Sequence, residues 1–243
     1  MTTENAWEPV RRVRTHEQVL GQIEQKILDG TLRAGEKLPS ERELVTALGV
    51  SRTSVREALR ALEAMGIIEA RTGSGQNAGA VVTDKSTPAL TNLLRMHLAL
   101  ARISLADLVE TRVQLERNAV RAAASARTAE DVQRLADLVT AMRGADSGYQ
   151  EFNALDTEFH VSIARISGNA LTVDLMQALR GAVESEMAAT FARFDDWRTV
   201  AGSLVDEHEA IVRAIDKGDG DTAADLVASH ITCFYQDRIL NHE

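Results

Sequence analysis

Three histidines and one aspartate in the C-terminal part of the chain have the residue types and spacing of metal ligands. Asp156 and His160 stand four residues apart in LDTEFH, so both side chains would project from one face of a helix. His208 and His230 lie in two later helical segments, each with an apolar residue one or two positions further on. Three imidazoles and one carboxylate from three helices suit Zn²⁺, and Ni²⁺ or Mn²⁺ are also compatible.

Other interpretations of this cluster remain open at the level of sequence. The three histidines can be ordinary surface or hydrogen-bonded core residues, or they can hold a purely structural metal. A catalytic metal site is also conceivable, since Glu207 and Glu209 flank His208 and a hydrolase needs a general base. The chain has no HExxH, GxSxG or glycine-rich phosphate motif, which disfavours an enzyme. The remaining histidines do not fit the pattern: His16, His97 and His242.

The composition predicts that helices position these residues. Among 243 residues, 44% are hydrophobic and only 3 are proline, which favours a mainly α protein. Because Cys233 is the only cysteine, an internal disulfide is excluded. No apolar run approaches the roughly 20 residues of a membrane helix. We therefore expect a cytoplasmic protein without membrane contact. Helical periodicity predicts an all-α bundle of six or seven elements: Thr87–Ala101, Leu105–Ala126, Ala129–Arg143, Tyr149–Ile166, Ala170–Arg193, Asp196–Lys217 and Thr222–Asn241.

Charge divides the chain into two parts. The net charge is −9, yet residues 1–83 hold eleven basic and eleven acidic side chains, so the excess of acid lies in residues 84–243. Binding to phosphates depends on local basic clusters more than on net charge. We therefore predict a DNA-binding domain over residues 10–83 and an acidic helical domain over residues 84–243.

The N-terminal part has the pattern of a winged helix-turn-helix. A first helix is predicted over Thr15–Asp29 with Thr15 as its N-cap. Ser40 and Glu43 have capping-box spacing and predict a short helix over Glu41–Leu48. Gly49 ends that helix, and Ser51 caps a second one that runs to Met65, which gives the helix, tight turn and helix of a DNA reader. IIEA and AVV then predict a hairpin around a glycine-rich tip.

The second helix carries arginines on the side opposite its apolar face. Arg52, Thr53 and Arg56 would line the side that meets a major groove, where the planar guanidinium can bond guanine O6 and N7 together. A solvated, salt-bridged face is the alternative. Gly73 at the hairpin tip would allow close approach to a minor groove, or would serve only the tight turn.

The stretch GEKLPSERELVTALGVSRTSVREALRALEAMGII resembles the signature of the GntR family of bacterial regulators, and the similarity runs from Leu28 to Gly75. The resemblance implies a transcription regulator. Two recognition helices related by a twofold axis would read a palindromic operator, so a homodimer is expected, acting as a repressor or alternatively as an activator. The resemblance also implies which residues contact DNA, with the two serines reaching phosphates: Arg42, Ser51, Arg52, Thr53, Ser54, Arg56 and Gly73.

The C-terminal part resembles the FCD domain of FadR-type members of that family. In this domain an Asp, a His four residues on and two later histidines hold a metal, which corresponds here to Asp156, His160, His208 and His230. The pattern also implies that Arg112 in LVETRVQLE faces the pocket and binds a carboxylate effector. An exposed ion pair between Arg112 and Glu116 is the alternative. Similarity to lactate-responsive members implies a short hydroxy or keto acid such as lactate.

Overall fold

The computed structural model describes residues 14–71, 79–83, 87–144, 148–184 and 197–238. It divides into two compact units, Met1–Ala89 and Leu90–Glu243. The described residues form ten helices and one two-stranded sheet, which confirms the prediction of a mainly α protein with a winged helix-turn-helix and a helical bundle. None of the described helices is long and apolar enough to cross a membrane.

The N-terminal unit contains three helices followed by a hairpin. Their bounds are α1 Thr15–Leu28, α2 Glu41–Leu48, α3 Arg52–Ala64, β1 Ile68–Arg71 and β2 Gly79–Val82. The strands are antiparallel, with Ile68 opposite Val82 and Arg71 opposite Gly79. The tip of the hairpin, with Gly73, lies outside the described residues.

Local hydrogen bonds explain the turn between α2 and α3. Ser40 Oγ accepts from the Glu43 backbone N–H at 3.3 Å, while the Glu43 carboxylate accepts from the Ser40 N–H at 2.7 Å. Gly49 ends α2 in the left-handed region, with φ 65° and ψ 30°, a conformation that glycine adopts without a steric penalty. Ser51 Oγ then caps α3 by accepting from the Ser54 N–H at 3.1 Å.

Two details of this unit differ from the sequence-based expectation. Thr15 is the first helical residue and not the N-cap of α1, because the Glu17 carboxylate accepts the Arg14 backbone N–H at 3.2 Å and so serves the exposed helix end without a threonine hydroxyl. The segment before α2 also adds to the sheet. Leu38 N–H donates to Ala80 O and Val82 N–H donates to Glu36 O, both at 2.8 Å.

A small apolar core joins these elements. Val19 and Ile23 of α1 pack against Ala58 and Leu62 of α3, and all four side chains are buried. Leu38 and both strands contribute to the same cluster. The outward face of α3 is therefore left exposed while its inner face is fixed.

The C-terminal unit is a helical bundle. Its helices, the first of which begins just before the unit boundary, are α4 Thr87–Ala99, α5 Leu105–Ala126, α6 Ala129–Arg143, α7 Tyr149–Ile166, α8 Ala170–Ala182, α9 Trp197–Lys217 and α10 Gly220–Arg238. Helix α8 ends with Val183 at its C-cap, short of the predicted Arg193, and residues 185–196 lie outside the described part. Helix α10 begins two residues before the predicted Thr222, because the Asp219 carboxylate accepts from the Thr222 N–H at 3.1 Å.

Helix α5 lies at the centre of this bundle. It packs most extensively against α10 and also contacts α7, α8 and α9. Because it is surrounded, its inward face must be apolar or must pair every charge that it buries. That face carries apolar residues such as Val120 and Ala123 together with the two charged residues Arg112 and Glu116, each only 3% exposed.

The turn glycine gives the first testable prediction. Replacing Gly49 by alanine forces a side chain into a left-handed conformation, and we expect the unit to lose about 1–2 kcal/mol of stability. Gly21 is the matched control, since it lies inside α1 with open space around its missing Cβ, and Gly21→Ala should add about 0.5–1 kcal/mol. Hydrogen exchange of the α3 amides measures both changes; equal effects of the two variants would contradict this account of the turn.

Candidate metal centre and DNA-binding face

The structure brings the four predicted metal ligands together. Asp156 and His160 project from α7, His208 from α9 and His230 from α10, and one ligand atom from each lies within 4.8 Å of the others. All four residues are buried. Side chains from three helices thus converge on one point inside the bundle.

The imidazole edges face the aspartate. Asp156 Oδ1 lies 3.0 Å from His208 Nε2 and 3.6 Å from His160 Nε2. The ring centroids of His208 and His230 are 4.5 Å apart. Both ring nitrogens of His208 and of His160 are buried without a well-directed hydrogen bond among the described residues. Buried polar atoms of this kind indicate an absent partner, and three imidazoles with a carboxylate are a donor set that fits a divalent metal ion.

Two carboxylates behind the cluster orient histidines. Glu116 Oε2 lies 2.5 Å from His160 Nδ1, and Glu207 Oε2 lies 2.6 Å from His230 Nδ1. The Glu207–His230 contact is a hydrogen bond, whereas Glu116 approaches His160 Nδ1 closely without a well-directed one. In both cases the negative carboxylate favours a proton on the Nδ1 that it faces. Protonated Nδ1 atoms leave the Nε2 lone pairs of His160 and His230 directed at the centre, which is the usual carboxylate–histidine–metal arrangement.

Arg180 supports the aspartate from the other side. Its Nη2 donates to Asp156 Oδ2, and its Nε donates to Thr157 Oγ1 at 3.1 Å. Arg180 is itself buried, with only 5% of its surface exposed. Without this partner, the carboxylate of Asp156 would be an isolated buried charge. Sequence reasoning missed this residue. Its position within the apolar segment MQALRGAV was the available signal.

Arg112 pairs with Glu116 and also faces a pocket. Its Nε donates to Glu116 Oε1 at 2.6 Å and its Nη1 donates to the Tyr235 hydroxyl at 3.2 Å. The pair with Glu116 is buried, so the alternative of an exposed ion pair is wrong. Arg112 also lines a cavity that reaches the metal cluster, and the other lining residues are Tyr149, Phe152, Asn153, Asp156, Leu204, His230, Ile231, Phe234 and Tyr235.

Burial and charge set the protonation states that metal binding requires. Burial, followed by the proximity of His230, lowers the pKa of His208 to about 4, and burial also lowers the pKa of His230. Burial alone would raise the pKa of Asp156, but the positive charge of Arg180 and the contacts with His160 and His208 together outweigh it and hold that pKa well below its usual value. At neutral pH, Asp156 is therefore anionic while His208 and His230 are neutral, which are the ligand forms.

The predicted DNA-contacting residues lie around the helix-turn-helix. Arg42 on α2 and Arg52 and Thr53 at the start of α3 are exposed. Arg56 Nε forms an exposed ion pair with Glu41 at 2.9 Å, a contact weak enough to exchange for phosphate or base.

The two serines at the start of α3 have a structural role. Ser51 and Ser54 share a hydrogen bond of 3.0 Å between their hydroxyls in addition to the helix cap. They serve the start of the helix as described, and their contact with phosphates stays a prediction, as do the base and groove contacts of the arginines and of Gly73.

Comparison with known proteins identifies the family. The FCD domain matches residues 107–232, and the family described as bacterial regulatory proteins, gntR family, matches residues 15–77. The chain belongs to the GntR family. It is a DNA-binding transcriptional regulator in which an N-terminal helix-turn-helix is joined to a C-terminal FCD domain.

Individual relatives agree with this assignment. The regulator is 30% identical to the HTH-type transcriptional regulator LutR of Bacillus subtilis over 85% of its own chain and 93% of the relative. It is 28% identical to the putative L-lactate dehydrogenase operon regulatory protein of Escherichia coli, over 90% of its chain and 84% of that protein. Among solved structures, the GntR protein of Streptococcus agalactiae matches with a TM-score of 0.64 and 26% identity, over 91% of this chain and 99% of that one.

These relatives are transcriptional regulators and not enzymes. The geometry of the two candidate general bases agrees with that finding. Glu207 is engaged with His230, and the Glu209 carboxylate accepts from Arg143 at 2.7 Å on the surface. The four candidate metal ligands therefore belong to a regulator and not to a hydrolase.

The Arg180 contact gives the second prediction. Arg180→Met leaves Asp156 as a buried charge without its partner, and we expect the metal-free protein to lose about 3–5 kcal/mol of unfolding free energy. Arg165→Met is the matched control, because Arg165 pairs with Glu158 on the exposed side of α7 and its loss should cost less than about 1 kcal/mol. Denaturant unfolding in the presence of a chelator measures both. Similar small losses for the two variants would show that Asp156 does not depend on Arg180.

Proposed function

We propose that this regulator is a homodimeric repressor whose affinity for operator DNA is controlled by a small carboxylic acid bound beside a divalent metal ion. The observation that carries the proposal is the cavity in which Arg112 and two of the four clustered ligands, Asp156 and His230, line the same wall. A guanidinium and a metal ion together offer two separate anchors for the oxygens of one acid.

Zn²⁺ is the expected ion, with Ni²⁺ or Mn²⁺ as alternatives. Three imidazoles and one carboxylate are borderline donors that Zn²⁺, Ni²⁺ and Mn²⁺ all accept. Asp156, His160, His208 and His230 would hold the ion. When bound, it supplies a positive charge that attracts an acid oxygen.

Charge balance favours an acid with one carboxylate. Arg112 and Arg180 offset the buried negative charges of Glu116 and Asp156, and Glu207 leaves the site with one negative charge before an ion enters. A divalent ion adds two positive charges, and Glu207 beside His230 balances one of them. A monoanion such as a short hydroxy or keto acid balances the second, because a buried charge without a counter-charge is costly.

Lactate is the first acid to test. A hydroxyl next to its carboxylate gives it a second oxygen to reach the ion while the carboxylate pairs with Arg112. The printed name of the Escherichia coli relative, which refers to an L-lactate dehydrogenase operon, supports the same choice. The polar groups of Asn153 and Tyr235 on the cavity wall are further contacts for a hydroxy acid.

In this proposal the N-terminal unit binds the operator. In a twofold dimer, two copies of α3 would enter successive major grooves of a palindrome. Arg52, Thr53 and Arg56 would contact bases, Arg42, Ser51 and Ser54 the backbone, and Gly73 the adjacent groove. Repression is the simplest sign of regulation, since a bound dimer blocks an overlapping promoter without any contact to polymerase. Acid control requires that the acid bind differently to the DNA-competent and DNA-incompetent states.

The recognition helix gives the third prediction. Arg52→Ala should weaken binding to the operator by about 1–3 kcal/mol and relax the preference for one base pair, because a side chain that reads a base edge is lost. Arg134→Ala on α6 is the control: it removes an exposed arginine from the other unit and should leave operator affinity unchanged. Fluorescence anisotropy with the operator and with single-base variants makes the measurement. Equal effects of the two variants would place the DNA-reading surface elsewhere.

Acid control gives the fourth prediction. Titration of L-lactate into the complex of the zinc-loaded regulator with its operator should lower operator affinity, by about 5–150-fold at saturation. Arg112→Met should abolish this response while keeping operator binding without acid. Arg117→Met on the same helix, which removes a surface pair with Asp225, should keep the response.

Two outcomes would contradict acid control. Operator affinity that stays constant for every short carboxylate tested would refute it directly. Unfolding on chelation, with no acid-dependent release of DNA from the loaded protein, would instead assign the metal a purely structural role.

A further inference from the structure

One buried carboxylate contacts both halves of the proposed ligand site. Glu116 Oε1 accepts from Arg112 Nε at 2.6 Å, and Glu116 Oε2 lies 2.5 Å from His160 Nδ1. Glu116 and Arg112 are each 3% exposed, so water does not screen these contacts. The acid-binding arginine and one metal-binding histidine therefore share a single counter-charge.

The second carboxylate behind the cluster contacts its histidine from a partly exposed position. Glu207 Oε2 holds His230 Nδ1 at 2.6 Å, and the Glu207 side chain is 36% exposed. It supports a histidine ligand just as Glu116 does, but from α9 and next to solvent. The chain thus offers an internal comparison between a buried carboxylate that contacts both Arg112 and a histidine of the cluster, and a partly exposed carboxylate that contacts another histidine of the cluster.

We propose that Glu116 couples the two ligands, so that the acid and the metal ion each strengthen the binding of the other through the chain Arg112–Glu116–His160. This inference rests on the proposed function, because it assigns the regulation of that same site. Glu116 is a positioning residue in it: it touches neither ligand and acts through the two side chains that do.

The physical reason is competition for one negative charge. When the carboxylate of an acid pairs with Arg112, the guanidinium attracts Glu116 less strongly. The negative charge of Glu116 then acts more strongly on the His160 Nδ1–H that it faces, which makes Nε2 of that imidazole a better donor to a metal. The reverse follows from the same contacts: with its Nε2 lone pair committed to the ion, His160 has a more positive Nδ1–H that attracts Glu116 more strongly, and Arg112 becomes more available to an acid.

Thermodynamic linkage makes the coupling measurable from either side. If the acid changes the affinity for the ion by some factor, the ion must change the affinity for the acid by the same factor. Coupling energies between sites usually correspond to factors of about 5–150. In a buried network, hydrogen bonds to charged groups are stronger than in water, so a direct relay of two contacts lies within that range.

The test compares Glu116→Gln with Glu207→Gln in the full-length regulator. Zn²⁺ affinity is measured by competition with a chelating dye, with and without saturating L-lactate. Both variants should bind Zn²⁺ about 10–100-fold more weakly, since each loses a carboxylate behind a histidine ligand. In wild type and in Glu207→Gln, saturating L-lactate should raise the Zn²⁺ affinity by a factor (the lactate-dependent gain) of about five or more. In Glu116→Gln, this gain should be less than half of the gain in Glu207→Gln. Equal gains in the two variants would overturn the proposal.

A second readout needs no acid and no variant that risks misfolding. The Arg112 Nε–H resonance of wild-type protein should shift when Zn²⁺ is added, because Glu116 changes its hydrogen bond to that atom. The same shift should appear in Glu207→Gln. An unchanged Arg112 resonance on zinc binding in the wild type would overturn the proposal even if Glu116→Gln fails to fold. If the resonance shifts but no acid changes operator affinity, the relay stands and the proposed function fails.

Discussion

The C-terminal unit depends on the pairing of buried carboxylates with buried cations. Asp156 and Glu116 lie inside a helical bundle, where an isolated carboxylate would lose its hydration without compensation. Arg180 and Arg112 supply that compensation from α8 and α5, and the histidines take the remaining carboxylate oxygens. Helix α5 can occupy the centre of the bundle only because its charges are satisfied there. The same pairs keep both carboxylates ionised and leave imidazole nitrogens available to a metal.

The two units hold their functional residues in different ways. The DNA-binding unit is small, and it fixes α3 with a few apolar side chains and with caps at Ser40, Gly49 and Ser51, so that the arginines on its outer face stay exposed. The helical unit has a much larger core and can therefore bury polar side chains as a site. The buried charges thus lie in the helical unit, while the residues predicted to contact DNA lie on an exposed surface of the DNA-binding unit.

The sequence predicted those features that local interactions decide. The bounds of α2, α5, α6 and α7 were predicted from apolar periodicity and turn residues, and the structure has them as predicted. The structure also shows the side-chain caps that begin α5 and α6, at Ser104 and Thr128. The convergence of His208 and His230 on Asp156 was inferred from residue type and from family resemblance. The contact of Arg180 with Asp156 and that of Glu116 with His160 were missed, because they depend on which helices pack together. Pairing of residues 36–38 with β2 was missed for the same reason, since three residues carry no strand pattern of their own.

The most direct test of this account is X-ray absorption at the zinc edge of the full-length protein loaded with one Zn²⁺ per chain. The account predicts a first shell of nitrogen and oxygen at about 2.0–2.1 Å, with the multiple-scattering pattern of three imidazoles. A sulfur neighbour at about 2.3 Å would instead indicate Cys233, which is exposed on α10. That result, or a shell with fewer than two imidazoles, would contradict the assignment of the metal to Asp156, His160, His208 and His230.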